Sequence, residues 1–75
     1  MTDTKRNQVK RAYRRLRVEA GLSQLETEMK ARLAKGRFWR LENGIESADD
    51  HERVALARVL KCAPSDIPTL TKDAS

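Results

Sequence analysis

The 75-residue chain is short, strongly charged and basic. Charged residues make up 36% of it, and its formal net charge at pH 7 is +5. A chain of this length forms one domain and buries only about 60% of its unfolded surface, so its core is thin. No apolar run reaches the length of a membrane span, and a single cysteine, Cys62, excludes an internal disulfide. The first residues lack the apolar segment of a secretory signal, so we expect a cytoplasmic protein without membrane attachment.

Positive charge is concentrated near the start of the chain. Residues 5–17 contain seven basic side chains and no acidic one, whereas residues 45–75 contain four basic and six acidic ones. A basic segment of this kind fits a polyanion such as DNA, RNA or an anionic membrane surface. It is equally compatible with a solvated helix face, so the charge alone does not identify a partner.

The first predicted helix follows a flexible arm over residues 1–5 and ends at Gly21, which tolerates the left-handed conformation of a helix terminus. Its apolar residues are spaced four, three and four apart and form one stripe: Val9, Tyr13, Leu16 and Ala20. Ser23 and Glu26 then predict a capping box that starts helix 2, over residues 24–31. Its apolar residues are Leu25, Met29 and Ala31, and Thr27 stands where a larger apolar residue is expected.

Helix 3 is predicted over residues 35–43, with Phe38 and Leu41 pointing inward because they lie three residues apart. Ala34 as N-cap and Gly36 in the first turn each cost about 1 kcal/mol. Gly36 either allows the backbone to approach a phosphate or base edge closely, or is tolerated because the packing of Phe38 outweighs the penalty.

Helix 4 is predicted from Asp50 to Lys61, capped by Ser47 or Asp49. Its broad apolar face contains Val54, Leu56, Ala57, Val59 and Leu60. A short final helix, capped by Ser65 and with Pro68 in its first turn, would contribute Ile67 and Leu70 as apolar contacts. The chain is therefore predicted to be all-α, with five short helices in one domain over residues 6–71 and a disordered tail over residues 72–75.

Several short motifs occur in one register: Leu16-Arg17, Gly21-Leu22-Ser23-Gln24, Arg40-Leu41-Glu42-Asn43-Gly44, Leu56-Ala57 and Leu60. Through them, residues 9–67 resemble the Cro and lambda-repressor-like (XRE-type) helix-turn-helix family. The resemblance implies a five-helix lambda-repressor-like DNA-binding domain with its helix-turn-helix at helices 2 and 3. It also implies a sequence-specific double-stranded DNA-binding transcriptional regulator of bacterial or phage type, an activator or a repressor, that acts as a homodimer.

The resemblance assigns roles to individual residues. Gln24 corresponds to a glutamine that contacts a phosphate, and Asn43 to a residue near the DNA backbone. Arg17 and Glu42 correspond to a partly buried ion pair between helix 1 and the end of helix 3. The positions that correspond to the major-groove face are Lys35, Gly36, Arg37 and Arg40.

Physical chemistry agrees with these assignments. A helix fits the B-DNA major groove, about 12 Å wide, and arginine can pair with guanine through two hydrogen bonds. Trp39, at the edge of helix 3, could pack on a sugar or a thymine methyl, cover the core, or contact another protein. The loop over residues 45–50 is acidic, so we expect no phosphate contact there. The basic helix 1 faces away from DNA in the family, and only Lys5 and Arg6 could reach a DNA backbone.

A second interpretation is a protein-interaction module or antitoxin that keeps the fold and uses Phe38 and Trp39 as anchors, since aromatic residues are enriched at interface hot spots. Ile67 and Leu70 are the candidate dimer contacts. An enzyme is not expected, because no motif places a nucleophile beside a base and His51 is expected on the solvated surface. No Cys/His set has zinc-ligand spacing, so neither a metal nor another cofactor is expected.

Overall fold

Four α-helices and one 3₁₀ turn form residues 3–69, the part of the chain described by a computed structural model, with side chains described from Lys5 onward. The helices are α1 (Asp3–Glu19), α2 (Gln24–Lys30), α3 (Arg37–Glu42) and α4 (Asp50–Leu60), followed by a 3₁₀ helix, Pro64–Asp66. No strand occurs in this part, so the predicted all-α class is confirmed. None of these helices is long and apolar enough to cross a membrane.

Helix α1 contributes one side to the core, as its apolar stripe predicted. Val9 and Tyr13 are buried, and Leu16 and Ala20 pack against the core from its edge. The Tyr13 ring meets the Phe38 ring of α3 edge-to-face, with centroids 5.5 Å apart and an interplanar angle of 86°. The helix begins at Asp3, within the stretch predicted as a flexible arm, and residues 1 and 2 of that arm lie outside the described residues.

The capping box of α2 is confirmed, but its predicted apolar face is wrong. The Ser23 hydroxyl accepts from the Glu26 N–H at 3.1 Å, and the Glu26 carboxylate accepts from the Ser23 N–H at 2.9 Å. Leu25 and Met29 are 63% and 67% exposed, whereas Thr27 is fully buried. Thr27 can replace an apolar residue because its hydroxyl donates to the Ser23 carbonyl at 2.8 Å, which satisfies its polar group inside the helix.

Helix α4 contributes three buried residues to the core. Its N-cap is Asp49, one of the two predicted caps, and the capping box with Glu52 is present. Leu56, Ala57 and Leu60 are buried, whereas Val54, expected on the apolar face, is exposed. The buried apolar face of α4 is thus narrower than the sequence predicted.

The predicted final helix is corrected to a single 3₁₀ turn. The turn begins at Pro64 rather than after Ser65, and the Asp66 carboxylate accepts from the Ala63 N–H at 3.1 Å. Ile67, which follows it, is only 3% exposed and belongs to the core of its own chain. Ile67 is therefore unavailable as a dimer contact, and Leu70, the other dimer candidate, lies outside the described residues.

The start of α1 packs against the turn that follows α3. Gly44 has a φ of +73°, and a Cβ at this position would lie 3.1 Å from the Arg6 Cα. Any other residue would need both a strained backbone and a displacement of α1. Gly44 therefore allows the first turns of α1 to lie next to the end of α3.

Candidate nucleic-acid interface

Helix α3 has a buried side and an outward side. Phe38, Leu41 and Glu42 are buried, with Phe38 and Leu41 fully so. The residues that point away from the core define what we call the outward face of α3: Trp39, Arg40 and Asn43. Trp39 is 52% exposed, the Arg40 side chain is 43% exposed, and the Asn43 amide donates to the Trp39 carbonyl at 2.8 Å. This face is the surface that α3 can present to a partner.

The start of α3 differs from the prediction. Helix 3 begins at Arg37, and Gly36 is its N-cap rather than a residue of its first turn. Gly36 adopts a left-handed conformation with φ +82°, and a Cβ there would meet no atom within 4 Å. Glycine adopts this backbone angle without the strain of other residues, and the open space leaves room for a close approach of another molecule. Lys35 is exposed and precedes the helix, so it flanks the outward face without belonging to it.

A buried carboxylate from α2 caps α3, which the sequence did not predict. Gly36 makes no side-chain capping bond. Instead, Glu28 Oε1 accepts a hydrogen bond from the Phe38 N–H at 3.2 Å, ten residues further along the chain. A carboxylate is well suited to a free N–H at a helix start, because the bond is charge-assisted. The only hint in the sequence is a charged residue one position after Thr27 on the same inward side of α2.

The ion pair expected between α1 and the end of α3 is present. The Arg17 guanidinium lies 3.1 Å from the Glu42 carboxylate, whose side chain is only 3% exposed. Arg17 also donates to the Leu22 carbonyl at 3.1 Å. One side chain thus ties together α1, the turn before α2 and the last turn of α3, which holds α3 by its buried side.

Arg37 makes several contacts inside the chain, although the resemblance implied a place for it in the major groove. Its Nε and Nη2 donate to the two Glu52 carboxylate oxygens at 2.9 and 2.8 Å. It also pairs with Glu46 and donates to the Ser47 carbonyl at 3.3 Å. The Glu52 hydrogen bond is the main reason why the pKa of Arg37 is raised. Arg37 therefore joins α3 to the segment before α4 and to the first turn of α4, and its place in the major groove stays a prediction.

The same contact makes stability depend on pH. The hydrogen bond from Arg37 is the main cause that lowers the Glu52 pKa below its ordinary value of 4.5. A carboxylate with a lowered folded-state pKa stabilises the fold fully above its unfolded pKa, and this contribution is lost as pH falls through the folded value. We therefore expect wild type to exceed Glu52→Gln in stability at about pH 6 by more than at about pH 3. Urea denaturation measures this difference, and Glu19→Gln, an exposed change, is the control. An equal difference at both pH values would contradict the assignment.

Arg40 keeps more freedom than Arg37. Its Nε lies 3.2 Å from Glu46 Oε1, yet this nitrogen has no partner with hydrogen-bond geometry among the described residues. We treat the contact as a loose ion pair, since both side chains are more than 40% exposed. Arg40 can therefore exchange Glu46 for another anion.

The remaining predicted contacts frame the outward face. Gln24 is the first residue of α2 and is partly buried, and Lys35 is exposed in the connection between α2 and α3. Glu46 of the acidic loop pairs with Arg37 and Arg40 and places a negative charge beside this face. Phe38 is fully buried, so it cannot serve as an anchor for a protein partner, and Trp39 alone remains in that role.

Comparison with protein-family models, with curated proteins and with solved structures gave no match to this chain. Within residues 3–69, no group of three or more His, Cys, Asp or Glu side chains is placed to hold a metal ion.

Proposed function

We propose that the chain is a sequence-specific double-stranded DNA-binding regulator of the lambda-repressor-like helix-turn-helix type, with α2 and α3 as the helix-turn-helix. The observation that carries the proposal is that α3 has one side anchored in the core and one side exposed with polar and aromatic groups. Its inner side is anchored by Phe38, Leu41 and the Arg17–Glu42 ion pair. Its outward face presents a guanidinium, an indole and an amide. A rigid short helix with such a face can enter a major groove about 12 Å wide.

Each exposed side chain has a specific part in the proposed complex. Arg40 offers two parallel donors that match O6 and N7 of guanine. Lys35 supplies a point charge for a phosphate beside the groove, and the Gln24 amide can donate to another phosphate at the start of α2. Trp39 packs on a sugar or a thymine methyl. Gly36 leaves space for the DNA backbone to come close to α3.

Glu46 opposes this binding mode. It pairs with both Arg37 and Arg40, so a DNA phosphate or base must take its place at Arg40. Glu46 also adds a negative charge beside an incoming polyanion. It is therefore expected to lower affinity and to disfavour weakly matched sequences.

The test is binding to duplexes selected from random DNA. We expect Arg40→Ala to reduce the preference for the selected over a scrambled duplex by about 1–3 kcal/mol, the value of one bidentate arginine–guanine contact. Glu46→Gln should raise affinity, because it frees Arg40. Arg58→Ala removes an exposed arginine of α4 and serves as the matched control. Fluorescence anisotropy at fixed salt measures all four proteins. Failure to enrich any sequence, or an Arg40→Ala variant with wild-type affinity and preference, would exclude the proposal.

Homodimer formation on DNA belongs to the same proposal. Such domains recognise few base pairs each, and paired half-sites lie one helical turn, about 34–36 Å, apart. The longest dimension of the chain is 32 Å, so two copies fit side by side on adjacent turns of one duplex face.

A protein-interaction module or antitoxin is the second candidate, and one observation favours it. Trp39 is the only tryptophan and is half exposed on α3, while neighbouring Arg40 is partly neutralised by Glu46. Buried aromatic anchors dominate many interfaces. A Trp39→Ala variant that keeps its DNA affinity but loses a defined co-purifying protein would support this candidate. Loss of DNA affinity instead would favour the regulator.

A further inference from the structure

The strongest uncompensated positive charge lies outside the proposed helix-turn-helix. Four exposed cations on the solvent side of α1 form what we call the α1 basic face: Lys10, Arg11, Arg14 and Arg15. Among the side chains of residues 5–69, none of these four has a salt-bridge partner, in contrast to Arg17, Arg37 and Arg40. Two acidic groups lie near this face. Glu19 is exposed four residues after Arg15 on the same helix, and Asp66 shares a shallow hollow with Arg15 while its carboxylate accepts from the Ala63 N–H.

This arrangement is unfavourable for an isolated helix. Lys10 and Arg14, and likewise Arg11 and Arg15, are like charges four residues apart, a spacing that destabilises a helix. No acidic residue occurs between Lys5 and Val18 to offset them. A polyanion bound along α1 would offset this repulsion. Binding of such a partner would therefore stabilise the helix.

The centre of the α1 basic face and the outward face of α3 both turn away from the contact between the two helices. The two helices touch through Tyr13 and Phe38. Arg11 and Arg15 each lie two residues from Tyr13, about 160° around the helix at 3.6 residues per turn. Arg40 lies two residues from Phe38, again about 160° around its helix. Arg11 and Arg15 therefore turn away from the shared contact as Arg40 does, whereas Arg14 and Lys10, about 100° and about 60° from Tyr13, form the near edge of the α1 basic face.

The chemistry of the α1 basic face favours a duplex backbone. Three of its four cations are arginines, whose guanidinium groups bind phosphates through paired hydrogen bonds. It has no aromatic side chain on which single-stranded bases could stack. Val18 is the exposed large apolar residue of α1, too little for insertion into a membrane. Residues 10–15 span about 7.5 Å of helix axis, a length over which the two strands of a duplex together carry about four phosphate charges. The four cations can therefore be matched when α1 reaches both strands.

We propose that the α1 basic face is a second, sequence-independent binding surface for double-stranded DNA, which allows one copy of the chain to hold two duplex segments, one on each side. This inference rests on the proposed function for the segment bound by α3. The segment on α1 is recognised through its phosphates alone.

The test compares three variants. The α1-face variant carries Lys10→Gln, Arg11→Gln, Arg14→Gln and Arg15→Gln, since glutamine has a similar helix propensity. The matched control removes four exposed cations elsewhere: Lys30→Gln, Arg32→Gln, Arg58→Gln and Lys61→Gln. The third variant is Arg40→Ala. Circular dichroism melting first establishes that each variant is folded at the assay temperature.

Bridging is measured as the capture of a fluorescent duplex by a second duplex fixed on beads. Wild type and the matched control should capture it, and the α1-face variant should lose capture at least about tenfold, because four phosphate contacts are removed. The slope of log affinity against log salt should fall by about 3–4, at about 0.9 per lost phosphate contact. Capture by the α1-face variant at the wild-type level, or equal losses in the matched control, would overturn the inference.

Trp39 separates failure of this inference from failure of the proposed function. As the only tryptophan, it reports through its emission on DNA at α3 and not at α1. If Trp39 emission changes with DNA and the α1-face variant bridges duplexes as well as wild type does, the inference is overturned and the proposed function stands. A second outcome would overturn the proposed function and the two-sided arrangement together. In that outcome Trp39 emission does not change with DNA, Arg40→Ala binds DNA as wild type does, and the α1-face variant loses all DNA binding. Binding of anionic phospholipid vesicles or duplex RNA in preference to duplex DNA through this face overturns the assignment of its ligand.

Discussion

Arg17→Met should lower the free energy of unfolding by about 3–5 kcal/mol, because it leaves a buried carboxylate without its counter-charge. The Glu42 side chain is only 3% exposed and lies 3.1 Å from the guanidinium. The same substitution removes the donor to the Leu22 carbonyl. Methionine keeps the apolar length of the arginine stem, so the loss reports mainly on the lost charge and hydrogen bonds. Urea denaturation followed by circular dichroism measures it.

Arg14→Met is the matched control, since Arg14 is an exposed arginine of the same helix and surface changes stay within about 0.5 kcal/mol. A domain with about 0.05–0.15 kcal/mol of stability per residue could unfold when several kcal/mol are lost. Arg17→Lys keeps the charge and provides a less destabilising variant. The double variant Arg17→Met/Glu42→Leu should lose less than the sum of its parts, because it removes both charges. Equal stabilities of Arg17→Met and Arg14→Met would show that the ion pair is not a structural link.

Glu28→Ala should destabilise the fold by roughly 3 kcal/mol. About 1–3 kcal/mol comes from the Phe38 N–H, which loses its acceptor, and about 0.8 kcal/mol from each buried methylene removed. Because the lost bond fixes the start of α3, we also expect weaker DNA binding at temperatures where the variant is fully folded. Thermal melting measures the first effect, and DNA titration the second.

Glu28→Gln keeps an amide oxygen in the same place and separates the hydrogen bond from the charge. We expect it to retain most of the stability, since the amide oxygen can still accept from the Phe38 N–H. Glu19→Ala removes an exposed carboxylate of α1 and controls for the change in net charge. If Glu28→Ala melted like Glu19→Ala, the capping role would be refuted.

Local features were the predictable part of this fold. Ser23 and Asp49 mark the starts of α2 and α4 because a capping box depends only on residues within four positions of each other. The spacing of Val9 and Tyr13 places them on one side of α1 for the same reason. The ion pair between Arg17 and Glu42 came instead from the resemblance, because the two residues are 25 positions apart.

Features that depend on contacts between helices were missed. Thr27 and Glu28 are polar, so the apolar pattern assigned the inward side of α2 to Leu25 and Met29. Their burial is possible only because each has a hydrogen-bond partner: Thr27 in its own helix and Glu28 at the start of α3. An apolar-periodicity rule cannot foresee a buried polar residue whose partner lies in another element.

The candidate interface shows the same division. The sequence by itself determined that α3 carries a cluster of basic and aromatic side chains with Phe38 and Leu41 on the inner side, because helical periodicity alone separates these positions. Only the tertiary structure decided which cations are available, because pairing depends on where distant carboxylates lie. Glu52, fifteen residues away, bonds Arg37 tightly, whereas exposed Glu46 holds Arg40 loosely. The fold thus leaves Arg40 on one side of the chain and the α1 basic face on the other.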